Sequence, residues 1–125
     1  EEGISVVRPG KTGADEIVAM MKNFRANPHK SLGGSPVVTI KDYSDLNCTD
    51  VQTGKVEKMD FPTTSNVLQY FTADGSKISI RPSGTEPKIK FYIEVRGTMN
   101  SKADYAEAIK AAEAKTEMIK KELGI

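Results

Sequence analysis

Apolar residues recur at helical spacing in a segment near the start of the chain. This segment covers residues 13–26, and Thr12 is the expected N-cap. Asn27-Pro28 ends it, because the residue before a proline avoids helical backbone angles. The apolar face consists of Ile17, Met20, Met21 and Phe24. We therefore predict an amphipathic helix here.

A second helical pattern occupies the last quarter of the chain. It begins in capping-box fashion with Ser101 and Asp104, and Gly124 is the expected stop. The predicted buried stripe consists of Ile109, Ala112, Thr116, Ile119 and Leu123. The remaining positions carry balanced charges, which is typical of a solvated helix face.

Between the helices the pattern changes to alternation, which is typical of strands. Val37–Tyr43 is one predicted strand, and Val67–Thr72 and Lys77–Ile80 flank a hairpin turn at residues 73–76. A further strand follows residues 82–87, with Ile89, Phe91, Ile93 and Val95 on its apolar side. Residues 44–65 are undecided apart from a short strand near Val56–Met59, and Ile4–Val7 fits either a short strand or a connection.

These elements predict an α+β fold with an antiparallel sheet of about four to five strands, packed by two helices on one face. We assign residues 13–125 to the domain and residues 1–12 to a lead-in from a preceding domain.

The alternation also places cations together. If the apolar sets of the two strands around residues 82–87 face one core, Arg81, Lys88 and Lys90 lie on the opposite side at the mouth of the loop. Glycine in the loop allows consecutive N–H groups to converge, Ser83 and Thr85 add hydroxyls, and an arginine fork matches an oxyanion. The alternative is a plain structural turn. Three like charges on one side and two bracketing prolines favour an anion site.

Composition excludes several classes of function. The 125 residues fit one domain, and 18 basic residues balance 17 acidic ones to a net charge of +1, so no global field attracts nucleic acid or a membrane. Cys48 has no partner for an intrachain disulfide, which fits a reducing compartment. Neither a membrane-length apolar run nor a signal-peptide pattern is present in this sequence. Cys48 and His29 are expected to be bystanders.

Two motifs that resemble functional sites fail on spacing. Gly10-Lys11-Thr12 opens a helix as a P-loop does, but Ser5 stands where a Walker A loop needs glycine. The acidic residues at 45, 50, 57 and 60 have no metal-loop spacing. We therefore expect no metal site in this chain.

The chain closely resembles the C-terminal domain of the α-D-phosphohexomutases, a family that includes the phosphoglucomutases and phosphomannomutases. The resemblance is strongest over Arg81-Pro82-Ser83-Gly84-Thr85-Glu86-Pro87-Lys88 and the Ile89–Val95 run that follows. It extends to Ser65-Asn66-Val67-Leu68, Asp74-Gly75-Ser76 and Gly10-Lys11-Thr12-Gly13, and it is weakest at residues 44–62. The fold that it implies is a TATA-box-binding-protein-like domain, a shape that implies nothing about DNA binding.

The resemblance implies a cytoplasmic, four-domain enzyme that interconverts hexose 1-phosphate and hexose 6-phosphate through a bisphosphorylated intermediate. The phosphoserine, the Mg²⁺-binding loop and the sugar-reading loop of such enzymes belong to the other three domains. None of these three motifs is found in this sequence. The implied partners are therefore a hexose phosphate and those three domains, with no nucleic acid and no membrane. No catalytic residue or cofactor is expected in this chain, which alone should be inactive.

The resemblance assigns the substrate phosphate that is not transferred to Arg81, Ser83, Gly84 and Thr85. Lys90 stands where many family members have an arginine, so it keeps the charge but not the bidentate fork. Lys88 is a further expected contact on charge grounds. Two alternatives remain: a small nucleic-acid-binding module, and a structural or assembly domain whose loop only packs against its neighbours.

Overall fold

The computed structural model describes residues 2–7, 10–83, 87–95 and 105–124, which form two helices and eight strands. The helices are α1 (Gly10–Ala26) and α2 (Tyr105–Leu123). The strands are β1 (Glu2–Val7), β2 (Ser31–Leu32), β3 (Ser35–Asp42), β4 (Asn47–Asp50), β5 (Val56–Lys58), β6 (Leu68–Thr72), β7 (Lys77–Pro82) and β8 (Lys88–Glu94).

The strands pair antiparallel in the order β1-β8-β7-β6-β3-β4-β5, and β2 pairs with β3 beside this path. The α+β class is confirmed, but the expected four to five strands are too few. Residues 2–7 add an edge strand, and β2 and β4 are further strands that the sequence did not predict. The β5 strand occurs where a short strand near Val56–Met59 was expected, although all three of its residues are exposed.

One hydrophobic core lies between the sheet and the two helices. The inward-facing residues of the three central strands are Leu68, Tyr70, Ile78, Ile80, Ile89, Phe91 and Ile93. The helices contribute Ile17, Met21 and Phe24 from α1 and Ile119 and Leu123 from α2. Because both helices join one cluster with the same sheet face, the prediction of two helices on one face is confirmed.

The predicted helix details need two corrections. Because α1 begins at Gly10, Thr12 lies inside its first turn and is not the N-cap. Ile109 in α2 is 40% exposed, whereas Thr116, Ile119 and Leu123 are buried as predicted. Helical periodicity indicates which face a residue occupies, but not how far along the helix the partner surface extends. The predicted cap at Ser101 and Asp104 lies outside the described residues. Neither described helix combines the length and apolar character needed to cross a membrane.

Helix α1 is tied to the sheet by two polar contacts. The buried Tyr70 hydroxyl donates to the Phe24 carbonyl at 2.7 Å. At the end of β3, Arg25 Nε donates to Asp42 Oδ2 at 3.0 Å, while the N–H and hydroxyl of Ser44 donate to Asp42 Oδ1. Partial burial raises the pKa of Asp42, but these hydrogen bonds and the Arg25 charge outweigh it and leave the pKa below its ordinary value.

Hydrogen bonds hold the end of helix α2 next to the turn between β2 and β3. The Gly33 N–H donates to Glu122 Oε1 at 2.8 Å, and His29 Nε2 donates to the Glu122 carbonyl at 2.9 Å. Lys115 forms an ion pair with Asp74 in the turn between β6 and β7. His29 therefore caps the last turn of α2, whereas the sequence predicted it to be a bystander.

Candidate functional site

The hairpin formed by β7 and β8 positions the predicted cations. Its register sets Arg81 opposite Lys90, and Ser79 opposite Tyr92. The alternate residues of both strands are buried, so these four side chains lie on the sheet face that points away from the helices. The pairing of β7 with β8 thus places the Arg81 and Lys90 side chains on the same face of the sheet, as predicted.

The loop between β7 and β8 is closed by a backbone hydrogen bond from the Ser83 N–H to the Lys88 carbonyl at 2.8 Å. The Ser83 amide is therefore already used within the protein. Gly84 and Thr85, two of the predicted phosphate-binding residues, lie outside the described residues.

A cleft of about 200 Å³ opens beside this loop. We call it the cation cleft, and it is lined by Arg81, Pro82, Ser83, Lys90 and Tyr92. Lys88 lies on the same sheet face, two residues before Lys90, but does not line the cleft. Tyr92 does line it, although the sequence argument did not include this residue in the site. The period-two alternation of β8, which puts Tyr92 on the same face as Lys90, was the signal that could have identified it.

The cation cleft holds two positive side chains that face each other across β7 and β8. Among the residues that the structure describes, no carboxylate lies within ion-pair distance of Arg81 or Lys90. Directly opposed like charges on neighbouring strands repel each other. An anion bound between the two side chains would turn this repulsion into attraction.

A second cleft of about 230 Å³ adjoins the first along the hairpin. We call it the neutral cleft, and it is lined by Lys77, Ser79, Tyr92 and Glu94. Lys77 Nζ lies 3.9 Å from Glu94 Oε2, so the two charges offset each other. Tyr92 is shared by both clefts, and its side chain is partly exposed between them.

A short hydrogen-bond chain leads to the neutral cleft from the neighbouring strands. The Tyr43 hydroxyl donates to Gln69 Oε1 at 2.9 Å, and Gln69 Nε2 donates to Ser79 Oγ at 3.1 Å. Burial raises the pKa of Tyr43. Tyr43 therefore remains a protonated donor at neutral pH and fixes the orientation of the Gln69 amide.

The His, Cys, Asp and Glu side chains of the described residues were the candidates for metal ligands. No group of three or more His, Cys, Asp or Glu side chains within it could hold a metal ion. The Mg²⁺ that the resemblance assigns to another domain finds no ligand set among these residues.

Comparison with known proteins gives the context of this site. The family model for the phosphoglucomutase/phosphomannomutase C-terminal domain matches residues 4–112. A phosphoglucomutase of Staphylococcus saprophyticus is 40% identical over 86 residues, which are 69% of this chain and 15% of that protein. One from Staphylococcus aureus strain MRSA252 is 36% identical over 87 residues, or 70% of this chain and 15% of that protein. One from Staphylococcus haemolyticus is 33% identical over 95 residues, or 76% of this chain and 17% of that protein.

The chain thus spans about 15% of the length of these relatives. The family match includes all of α1, the first part of α2 and every described strand except the first two residues of β1. It also contains the whole hairpin that carries the cation cleft. On this evidence, the chain belongs to the phosphoglucomutase/phosphomannomutase C-terminal domain family.

Proposed function

We propose that this chain binds the phosphate of a hexose phosphate that is not being transferred, within an enzyme of the phosphoglucomutase/phosphomannomutase type. The observation that carries the proposal is the pairing of Arg81 with Lys90 across β7 and β8. Both side chains line one polar cleft, and no carboxylate of the described chain neutralises them. A phosphate dianion supplies the missing charge, with hydrogen bonds from the guanidinium and the ammonium group.

Within the parent enzyme, the role of this cleft is positioning. A phosphate held at one end of the sugar fixes where the other end lies, which turns the phosphoryl transfer into a reaction between prearranged groups. The nucleophile and the Mg²⁺ site would lie on other domains of a cytoplasmic enzyme that interconverts hexose 1-phosphate and hexose 6-phosphate. The chain alone would then have no mutase activity. Turnover of glucose 1-phosphate by the pure chain would contradict this.

The direct test is a titration of the ¹⁵N-labelled chain with inorganic phosphate and glucose 6-phosphate, followed by NMR. We expect shifts concentrated at residues 81–90. Arg81→Ala and Lys90→Ala should each weaken phosphate binding roughly tenfold or more, since each removes a charge-assisted hydrogen bond. An unchanged spectrum around the hairpin would refute the proposal.

Lys110→Ala is the matched control, because Lys110 is an exposed lysine of α2 outside the hairpin. It removes the same unit of charge, so a purely nonspecific electrostatic effect would weaken binding equally in all three variants. We expect the Lys110→Ala chain to bind phosphate as the original does. Equal weakening in the control would count against a defined site.

The two alternatives make different predictions. A nucleic-acid-binding module would bind oligonucleotides in a salt-sensitive way and would not respond to hexose phosphates. A purely structural loop predicts that Arg81→Ala in the parent enzyme lowers stability and leaves substrate KM unchanged. The phosphate-binding proposal predicts a raised KM with the fold intact.

A further inference from the structure

The cation cleft and the neutral cleft lie side by side on one face of the β7–β8 hairpin. Tyr92 lines both, and it follows Lys90 by two residues along β8. Two residues of a strand span roughly 7 Å, so the two clefts are close enough together for one small molecule to reach both. A single small molecule can therefore occupy both at once.

The two clefts differ in charge. The cation cleft carries Arg81 and Lys90 without a neutralising carboxylate in the described chain. In the neutral cleft, by contrast, Lys77 and Glu94 lie 3.9 Å apart and compensate each other. This arrangement matches a ligand that is anionic at one end and uncharged but polar at the other. An inorganic anion alone would use only the first cleft.

Ser79 is set up as a hydrogen-bond donor toward the neutral cleft. Its Oγ already accepts a hydrogen bond from Gln69 Nε2, whose orientation is fixed by Tyr43. The hydroxyl hydrogen of Ser79 is then left for an acceptor in the cleft. Next to it, the ring of Tyr92 is 37% exposed and offers an apolar surface beside a polar rim. A hydroxyl donor, a charged pair and an aromatic surface together fit the ring of a sugar.

We propose that the neutral cleft receives the sugar ring of the hexose phosphate whose phosphate occupies the cation cleft. Tyr92 packs against the ring, and Ser79 donates to one of its oxygens. This inference rests on the proposed function, and it adds a sugar contact made by the phosphate-binding domain itself. Ser79 and Tyr92 are thus specificity-determining residues of the same site.

The test compares three ligands on the intact chain by NMR titration: inorganic phosphate, glycerol 3-phosphate and glucose 6-phosphate. Glycerol 3-phosphate is a phosphate ester without a ring, so it reports on the cation cleft alone. We expect glucose 6-phosphate to bind more tightly than glycerol 3-phosphate, and to shift the amides of residues 77–79 and 92–94 in addition to those of the loop.

Two residues are then varied. Ser79→Ala should weaken glucose 6-phosphate binding roughly three- to tenfold, the effect of losing one net hydrogen bond, and leave phosphate and glycerol 3-phosphate unchanged. Tyr92→Ala should reduce the preference for glucose 6-phosphate over glycerol 3-phosphate, and Tyr92→Phe should retain that preference because the ring persists. The ¹⁵N spectrum of each variant checks its fold.

The outcomes separate this inference from the proposed function. If phosphate and both esters bind equally well and Ser79→Ala changes nothing, the phosphate site stands and the sugar-ring inference is wrong. Equal weakening of all three ligands by Tyr92→Ala also overturns it, since the residue would then serve only the cation cleft. If no ligand binds the original chain, the proposed function itself fails.

Discussion

A single methyl group at Gly33 should disturb the contact between the β2–β3 turn and α2. Gly33 has a φ of +61°, which side chains rarely adopt. An added Cβ would lie 2.8 Å from Lys115 Cγ and 3.1 Å from Ile119 Cγ1. Lys115 is held by its ion pair with Asp74, and Ile119 is fully buried. Neither neighbour can move aside without losing contacts of its own.

The expected loss of stability has two parts. A left-handed backbone conformation costs a residue with a Cβ about 1–2 kcal/mol, and forcing a methyl group into a packed contact costs about 1–3 kcal/mol more. Gly33→Ala should therefore lower the free energy of unfolding by about 2–5 kcal/mol. Gly34→Ala is the matched control, because Gly34 also has a positive φ, of +79°, but nothing lies within 4 Å of its added Cβ. It should cost only the conformational part.

Urea unfolding followed by far-ultraviolet circular dichroism measures both variants, and the difference between their unfolding free energies isolates the contact with α2. The m-value, which is the slope of the unfolding free energy against urea concentration, should be the same for both variants. If the two variants lose the same stability, the close approach of α2 to this turn is not an energetic contact, and the reasoning fails.

The remaining predictions concern the sheet and the site. Tyr70→Phe should lower the free energy of unfolding by about 1–2 kcal/mol in urea, because the buried Phe24 carbonyl loses its donor; an unchanged value would contradict this. Asp42→Asn should cost about 1 kcal/mol at pH 7. The pKa of Asp42 in the folded protein lies below its ordinary value of 3.8. The stabilisation by the Asp42 carboxylate is therefore complete above pH 3.8 and is lost as the pH falls through the folded pKa. Urea unfolding curves of the original and variant proteins should accordingly converge in acid. Lys90→Arg should tighten phosphate binding roughly two- to fivefold in the NMR titration, because a guanidinium can bind two phosphate oxygens at once.

The parts of the fold that the sequence predicted are those with a buried face. The helices and the β6, β7 and β8 strands carry a regular apolar period, and each occurs close to the expected residues. The β4 strand was missed because it has little buried surface, whereas β5 occurs where a short strand near Val56–Met59 was expected. The β2–β3 hairpin was also missed. Its turn is Gly33-Gly34, and two consecutive glycines are a recognised signal for a two-residue hairpin turn.

The sequence predicted which charged side chains the candidate site contains, but not which other groups take part in it. Alternation alone placed Arg81 and Lys90 on one face, and the register of β7 and β8 makes them direct neighbours. Periodicity could not indicate that the Ser83 amide closes the loop, because that depends on the geometry of the turn. Nor could it indicate that Tyr43 and Gln69 orient the Ser79 hydroxyl of the neutral cleft, because those hydrogen bonds depend on how β3 and β6 pair beside β7.

Because Arg81 and Lys90 lie opposite each other, the stability of the fold should depend on the concentration of a bound anion. In the absence of an anion, the repulsion between the two side chains opposes closure of the hairpin, since only the folded chain forces them together. A ligand that binds the folded chain alone stabilises it by mass action, by about 2.7 kcal/mol at a hundred times its Kd. If the chain binds a sugar phosphate as proposed, its lifetime against unfolding and proteolysis should therefore rise with the concentration of that ligand.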